Sequence, residues 1–388
     1  MRPLSLKHLT PLLCQPFRLL FMAASLCASL DMLLWALFLY SGWLPAASLP
    51  PLLWHGHEML FGFAGALIAG FLLTAVAEWT KRPTATPLTL LLLVAVWLIA
   101  RIGFLLPTFI PYTLTAILDS TFFLLLAIMV AIPILRARNY RNLFVIPLLL
   151  TFTLADVLFH LGVTGRLPLA PYQVLVWVID LLTLLMLVIG GRVIPFFTSR
   201  RLAGVKIVRW RLLDWSVNGG GLVLLLVDII VPSSRLLGGL SLIVAVLAII
   251  RLAAWRPWRT LCEPMLWVLH LGYLWLAVGI ALRGVALLSG SFAEITALHA
   301  LMVGALGSLS IGMMTRVPLG HTGRPIAAGP VMTVVFFLPT LAAVLRLMNL
   351  PGWLPLAATL WTLAFAMYFL HFLPVHFGPL RVNATIPQ

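Results

Sequence analysis

Apolar residues run through this chain in long, nearly uninterrupted stretches, without the alternation of half-buried strands or the one-sided rhythm of surface helices. Twelve stretches can be read, at 17–40, 52–78, 88–106, 111–135, 143–164, 171–197, 212–231, 236–256, 262–289, 292–317, 329–349 and 352–376. Each matches the roughly 20 residues that a helix needs to cross a bilayer. Proline, glycine or charge clusters punctuate nearly every junction, as at Leu44-Pro45 to Pro50-Pro51 and at Lys81-Arg82-Pro83. Hydrocarbon offers no partner to backbone N–H and C=O groups, so such runs must bond internally as helices. The expected fold is all-α: a polytopic membrane helical bundle of about 12 transmembrane helices. No stretch between them is long enough for a soluble domain, so residues 1–388 form a single integral membrane domain with a short N-terminal tail, 1–16.

Composition agrees. Of 388 residues, 62% are apolar and 9% charged, whereas ordinary soluble domains carry about 25% charged residues. A soluble enzyme, a disordered chain and a collagen are excluded. Nucleic-acid binding is excluded too, because the excess of 25 Lys and Arg over 10 Asp and Glu sits between apolar runs and not on a polar domain. Its position instead reports topology, since basic residues concentrate in cytoplasmic loops. The N-terminal tail and alternate loops carry Arg2, Lys7, Lys81, Arg82, Arg136, Arg138, Arg141, Arg200, Arg201, Lys206, Arg209, Arg211, Arg251, Arg256, Arg259 and Arg324. The other loops and their flanks hold little beyond Arg101, Arg166, Arg235, Arg283 and Arg346. Both termini are therefore expected in the cytoplasm. The first stretch is full length with no small-residue cleavage site after it, and reads as a retained helix. Cys14, Cys27 and Cys262 form no CxxC or CxxCH, so neither a disulfide framework nor covalent haem attachment is indicated.

Ionisable groups inside a membrane are costly and mark function. With this topology Glu58, Asp119, Asp156, Asp180, Asp228 and Glu294 fall in the outer half of their spans, as do His55, His57, His160 and His299; Asp31 lies at mid-membrane. A site open toward the outer face is expected, with hydrogen bonds between packed helices as the plainer alternative. His55 and His57 begin the second span as Trp54-His55-Gly56-His57-Glu58. Residues two apart on a regular helix point about 200° apart, so both face one ligand only if the turn is unwound. An internal echo adds to this: His57 is followed by Gly62, Gly65 and Gly70, and His299 by Gly304, Gly307 and Gly312, at the same offsets. Two helices offering imidazole above small-residue faces would suit haem, whose iron takes axial His ligands. The alternative is glycine-mediated helix packing. A second cluster, Gly312 to Pro325, ends the tenth span and contains Arg316, Pro318 and His321, while Gly190-Gly191-Arg192-Val193-Ile194-Pro195 ends the sixth. His321 near Met313 or Met314 would suit Cu(I), and Arg283, near the outer end of the ninth span, is the best-placed partner for haem propionates.

The stretches WHGHEMLFGFAGALIAGFLLTAVAEWT (54–80), GGRVIPFFT (190–198), LHLGYLWLAVGIALRG (269–284) and HALMVGALGSLSIGMMTRVPLGHTGRP (299–325) resemble the NnrS family of bacterial inner-membrane proteins. The resemblance runs from Pro16-Phe17-Arg18 through Pro325. It implies non-covalent haem b and copper, and a role in nitric oxide metabolism or in protection against nitrosative stress. Haem would rest on His57, His299 and Arg283; the metal-ligating set is His55, His57, His160, His299 and His321, with His55 and His160 one copper combination. Glu78 departs from the polar amide expected before Trp79. A looser similarity links the chain to haem-copper oxidases through twelve spans with histidine on the second and tenth. Residues 171–231 contain no histidine, so the copper set of those oxidases is incomplete. Expected partners are membrane lipid, nitric oxide as ligand, and a quinol or protein electron donor, since no flavin, nicotinamide or iron–sulfur motif is present. The competing function is secondary transport of a metal ion or small metabolite. It lacks a facilitator-like loop after the second span, and the echo pairs spans two and ten, which a six-plus-six duplication would not.

The topology has a direct test. A reporter active only outside the cytoplasm, fused after residue 233, is expected to be active, and fused after residue 205 inactive; the reverse pattern would invert the orientation.

Overall fold

A computed structural model describes residues 11–45, 48–202, 204–348, 350 and 352–380. Arg2, Lys7 and most of the expected N-terminal tail lie outside the described residues. All regular structure among the described residues is helical. Twelve helices are long and apolar enough to cross a membrane: α1 Pro16–Ser41, α2 Pro51–Thr80, α3 Pro87–Leu105, α4 Tyr112–Arg136, α5 Tyr140–Val163, α6 Pro171–Arg201, α7 Arg211–Ile230, α8 Arg235–Arg259, α9 Pro264–Ser289, α10 Glu294–His321, α11 Pro330–Met348 and α12 Trp353–Phe377. They coincide one for one with the expected stretches. Proline opens six of them (α1, α2, α3, α6, α9 and α11), where its missing N–H costs nothing.

The clearest departures are at the ends of α6 and α10. The sequence ends these stretches at 197 and 317, yet the helices run on to Arg201 and His321 with Pro195 and Pro318 inside them. Neighbouring helices absorb the lost backbone bond in a membrane bundle. Arg192 and Arg316 therefore sit on continuous helix, not at a terminal turn, and the Arg316 guanidinium lies 3.9 Å from the Phe197 ring centroid.

The helices group into two compact units. One comprises residues 1–175, 317–325 and 365–388; the other comprises 176–316 and 326–364. In the first, α1 and α4 pack on α2, and α3 and α5 pack on α4. Arg18 is buried there and donates to the carbonyls of His376 and Gly378, both at 2.7 Å, closing the C-terminal end of α12. A cation at a helix C-terminus also meets the negative end of its dipole. In the second unit α7, α8, α9, α10 and α11 pack each on the next. Arg251, expected to anchor a cytoplasmic loop, is instead buried, donating to Tyr273, to Asn218 Oδ1 at 3.0 Å and to the Leu187 carbonyl at 2.6 Å.

The His-Gly echo has a structural counterpart. Directly after His57 the backbone widens into a π-helix over Glu58–Phe63, and directly after His299 it does so over Ala300–Leu306. Such wide turns are rare and cluster at functional sites. The glycines of the echo follow the packing alternative. A methyl group at Gly304 would stand 2.5 Å from Trp275, at Gly307 2.7 Å from Trp361, at Gly65 3.2 Å from Phe123 and at Gly70 2.8 Å from Phe21. At these four positions neighbouring side chains occupy the space that a Cβ would take.

On α9, Gly279 brings the backbone against the wide turn of α10: a Cβ there would lie 2.9 Å from the Leu301 backbone nitrogen. Backbone cannot swing aside as a side chain can. Gly279→Ala is expected to destabilise the protein by about 1–3 kcal/mol, read as a lower unfolding temperature in detergent. Gly239→Ala meets nothing within 4 Å and is expected to be neutral, or stabilising by up to about 1 kcal/mol.

Candidate metal centre

In the first unit, consecutive antiparallel helices bring the start of α2, the end of α3, the start of α4 and the end of α5 to the same level. Their polar residues meet there. α2 contributes His57 and Glu58, α3 Arg101, α4 Tyr112, Asp119 and Ser120, and α5 Asp156 and His160. The four-residue spacing of Asp156 and His160 puts both on one face of α5.

Four of these side chains converge. His57 Nε2 lies 3.0 Å from Asp119 Oδ2 and 3.3 Å from Asp156 Oδ1. His160 Nε2 lies 3.6 Å and 3.5 Å from the same two oxygens. The four donor atoms all fall within 4.8 Å of one another, and the residues are 0–6% exposed. Asp119 Oδ2 and His160 Nε2 are buried without a hydrogen-bond partner. Buried polar atoms normally have one, so two orphan atoms facing each other across a cluster of imidazoles and carboxylates fit a cation between them.

The far side of every donor is held. His57 Nδ1 is 3.1 Å from Glu58 Oε1. His160 Nδ1 is 2.8 Å from the Tyr112 hydroxyl. Ser120 donates to Asp156 Oδ2 at 2.6 Å. Arg101 donates to Asp119 Oδ1 and, through Nη1, to Glu58 Oε1 at 2.8 Å. Bonds of this kind fix ring orientation and tautomer and raise the basicity of metal-binding groups. The rings of Phe61, Phe104 and Phe159 stand 4.9, 4.8 and 4.7 Å from that of His57, so the walls are apolar. In the wide turn of α2, the Gly62 carbonyl accepts a bond from Trp97 Nε1 at 3.0 Å, tying this helix to α3.

Of the histidines singled out in the sequence, the structure brings His57 and His160 together. His55 stacks on Trp35 with ring centroids 4.4 Å apart and is not among the four converging donors. His321 lies in the first unit, its Nδ1 3.9 Å from Glu78 Oε1. His299, in the second unit, has Nδ1 2.7 Å from the Ile295 carbonyl, one turn back. Asp119, Asp156, Glu58, Tyr112, Ser120 and Arg101 were not named as ligands or supports from sequence. The signals within reach were the lopsided placement of the acids and the Asp-x-x-x-His spacing at 156–160.

The second unit has its own buried ion cluster. Arg283 donates from Nη1 to Asp180 at 2.6 Å and from Nε to Glu294 at 2.7 Å, and its Nη2 lies 3.1 Å from Asp228. Its guanidinium thus faces three carboxylates of the protein itself, with Arg283 Nη2, Asp180 Oδ2 and Asp228 Oδ2 left without a hydrogen-bond partner.

These features define a multi-pass membrane protein with a buried ion-pair network and a candidate metal centre. A family model described as NnrS protein matches residues 11–379, nearly the whole chain. The chain belongs to the NnrS family. No curated protein matches it.

Arg101 is the sole cation bonded to Glu58 and Asp119 among the described contacts. Removing one partner of a buried ion pair leaves an uncompensated charge, at a cost of about 3–5 kcal/mol. Arg101→Met is expected to lose that much stability in denaturant unfolding. Arg101→Lys is expected to recover part of it, because a point charge cannot bridge two carboxylates as a planar guanidinium does.

Proposed function

We propose that this protein is a membrane metalloprotein of nitric oxide metabolism or of protection against nitrosative stress, resident in the bacterial inner membrane. The observation that carries the metal part is the buried convergence of His57, His160, Asp119 and Asp156. The nitric oxide part rests on membership of the NnrS family. Nitric oxide is small, uncharged and soluble in lipid, so a haem held among the membrane helices needs no aqueous channel to meet it.

The haem that the resemblance implies fits one of the two expected axial histidines. His57 has its Nε2 among carboxylates and its Nδ1 against Glu58, which leaves no edge for iron. His299 suits the role: with Nδ1–H given to the Ile295 carbonyl, its Nε2 is the unprotonated nitrogen that a metal requires. Bound there, haem b would supply an iron able to bind nitric oxide. The residues of the chain would orient the imidazole through the Ile295 carbonyl and keep water away with the apolar sides of α9, α10 and α11. Electrons for turnover would come from a quinol or protein donor.

The test is a pair of measurements. Protein purified in mild detergent after growth with adequate haem is expected to show a Soret band that shifts on reduction, and His299→Ala to lose it while His57→Ala retains it. Cells lacking the protein are expected to grow poorly under a nitric oxide donor and to be rescued by the wild-type chain. No Soret band would sink the haem part, and equal growth with and without the protein would sink the nitric oxide part.

A further inference from the structure

We infer that Arg346, near the end of α11, binds a carboxylate that the chain does not itself supply, a propionate of the haem ligated by His299. This rests on the haem reading above and adds to it the residue that recognises the acidic edge of the ring.

The carboxylates of the chain are engaged elsewhere. Ten Asp and Glu are present and none follows Glu294, so α11 and α12 carry no acid of their own. Asp31 accepts from Cys27. Glu58, Asp119 and Asp156 gather around His57 and Arg101, and Asp180, Asp228 and Glu294 around Arg283. Glu78 pairs with Lys81, Asp214 with Arg209 and Glu263 with Arg201. The segment Glu294–His299 packs against α11, but Glu294 has both oxygens bonded, one to Arg283 at 2.7 Å and one to Ser233 at 2.8 Å.

Arg346 differs in this from the arginines of the interior. Arg18, Arg101, Arg251 and Arg283 are buried, and each donates to carboxylates, carbonyls or polar side chains. Arg346 is half-buried; its Nη1 lies inside the protein without a hydrogen-bond partner, and it makes no ion pair among the described residues. A guanidinium stays charged at every physiological pH, and a polar group out of water without a partner is costly. The C-terminus of α11 offers this cation only a partial negative charge. The missing counter-ion therefore comes from outside the chain.

Its neighbour indicates which anion. Arg346 and His299 both belong to the second unit, and the charge of Arg346 acts on the His299 imidazole. With Nδ1 given to the Ile295 carbonyl, His299 keeps Nε2 for a metal. A metal-binding nitrogen beside a fixed cation suits a ligand that carries a metal and a carboxylate on one rigid frame, as haem b does. A lipid phosphate would satisfy the cation but has no use for the imidazole. The planar fork of arginine matches a carboxylate in two bonds.

The full-length protein in detergent, produced under haem limitation, gives the test. It is titrated with haem b and with the dimethyl ester of haem b, whose propionates carry no charge, and binding is read from the Soret band. The wild type is expected to bind the free acid about 10–100-fold more tightly than the ester, the size of a charge-assisted contact. Arg346→Met is expected to weaken the free acid by that factor and to leave the ester unchanged, so that the two bind alike. Arg346→Lys is expected to keep part of the preference. Should Arg346→Met fail to fold, Arg346→Gln removes the charge more conservatively, and the wild-type comparison needs no variant. Equal affinities in the wild type would overturn the inference. A preference that survives in Arg346→Met or Arg346→Gln would overturn it too, and would return the propionate to Arg283. A phospholipid that copurifies with the wild type but not with Arg346→Met, with acid and ester bound alike, would assign the guanidinium to a lipid phosphate instead. No Soret band with either compound would fail the haem reading itself, and this inference with it. Binding of both compounds that is lost in His299→Ala but shows no discrimination would fail the role of Arg346 alone.

Discussion

Charge inside hydrocarbon has to be cancelled at contact distance, and the polar architecture of this protein follows from that requirement. Water cannot screen Glu58, Asp119 and Asp156, so Arg101 comes off α3 to bind two of them. The same solution recurs in the second unit, where Arg283 is shared by Asp180, Asp228 and Glu294. Both arginines stand out in the sequence as exceptions to the cytoplasmic bias of basic residues. Their exception is explained by burial: they are counter-ions within the bundle, and the rule that positions loop charges does not apply to them.

In the first unit the cancellation is incomplete in a particular way. Arg101 fixes the outer oxygen of Asp119, Ser120 that of Asp156, Tyr112 the outer nitrogen of His160 and Glu58 that of His57. What has no hydrogen-bond partner points inward: Asp119 Oδ2 and His160 Nε2, beside the His57 Nε2–Asp156 Oδ1 contact at 3.3 Å. A hydrogen-bonded network built only for stability would satisfy its members among themselves. Here the bonds hold side chains in place from behind and leave their reactive atoms facing one another. The π-helical turns after His57 and His299 belong to the same economy of strain, since a wide turn is kept only where the register it imposes is needed.

Much of the fold was legible from residues. All twelve spans could be read from apolar length because a bilayer imposes one hydrophobic thickness on every crossing. The exceptions lie at the ends of α6 and α10, where the helix runs on past the apolar stretch with Pro195 and Pro318 inside it. The site was half legible. The depth of Asp119, Asp156 and His160 was available from span counting, and the echo pointed to the turns after His57 and His299. The glycine spacing of the echo registers close approach without saying what approaches. At Gly304 it is Trp275, and at Gly70 it is Phe21.

The sequence by itself determined the number of spans and the helical class. Those properties depend on local apolarity and on counting, which need no partner. Only the tertiary structure decided that His57 converges with His160, that two aspartates complete the set, and that Arg101 and Arg283 are internal counter-ions. These are contacts between α2, α3, α4 and α5 in one unit and among α6, α7, α9 and α10 in the other. Which face each helix turns to its neighbour depends on packing between residues far apart in the chain. A run of apolar residues that is hydrophobic on every side carries almost no signal of that rotation.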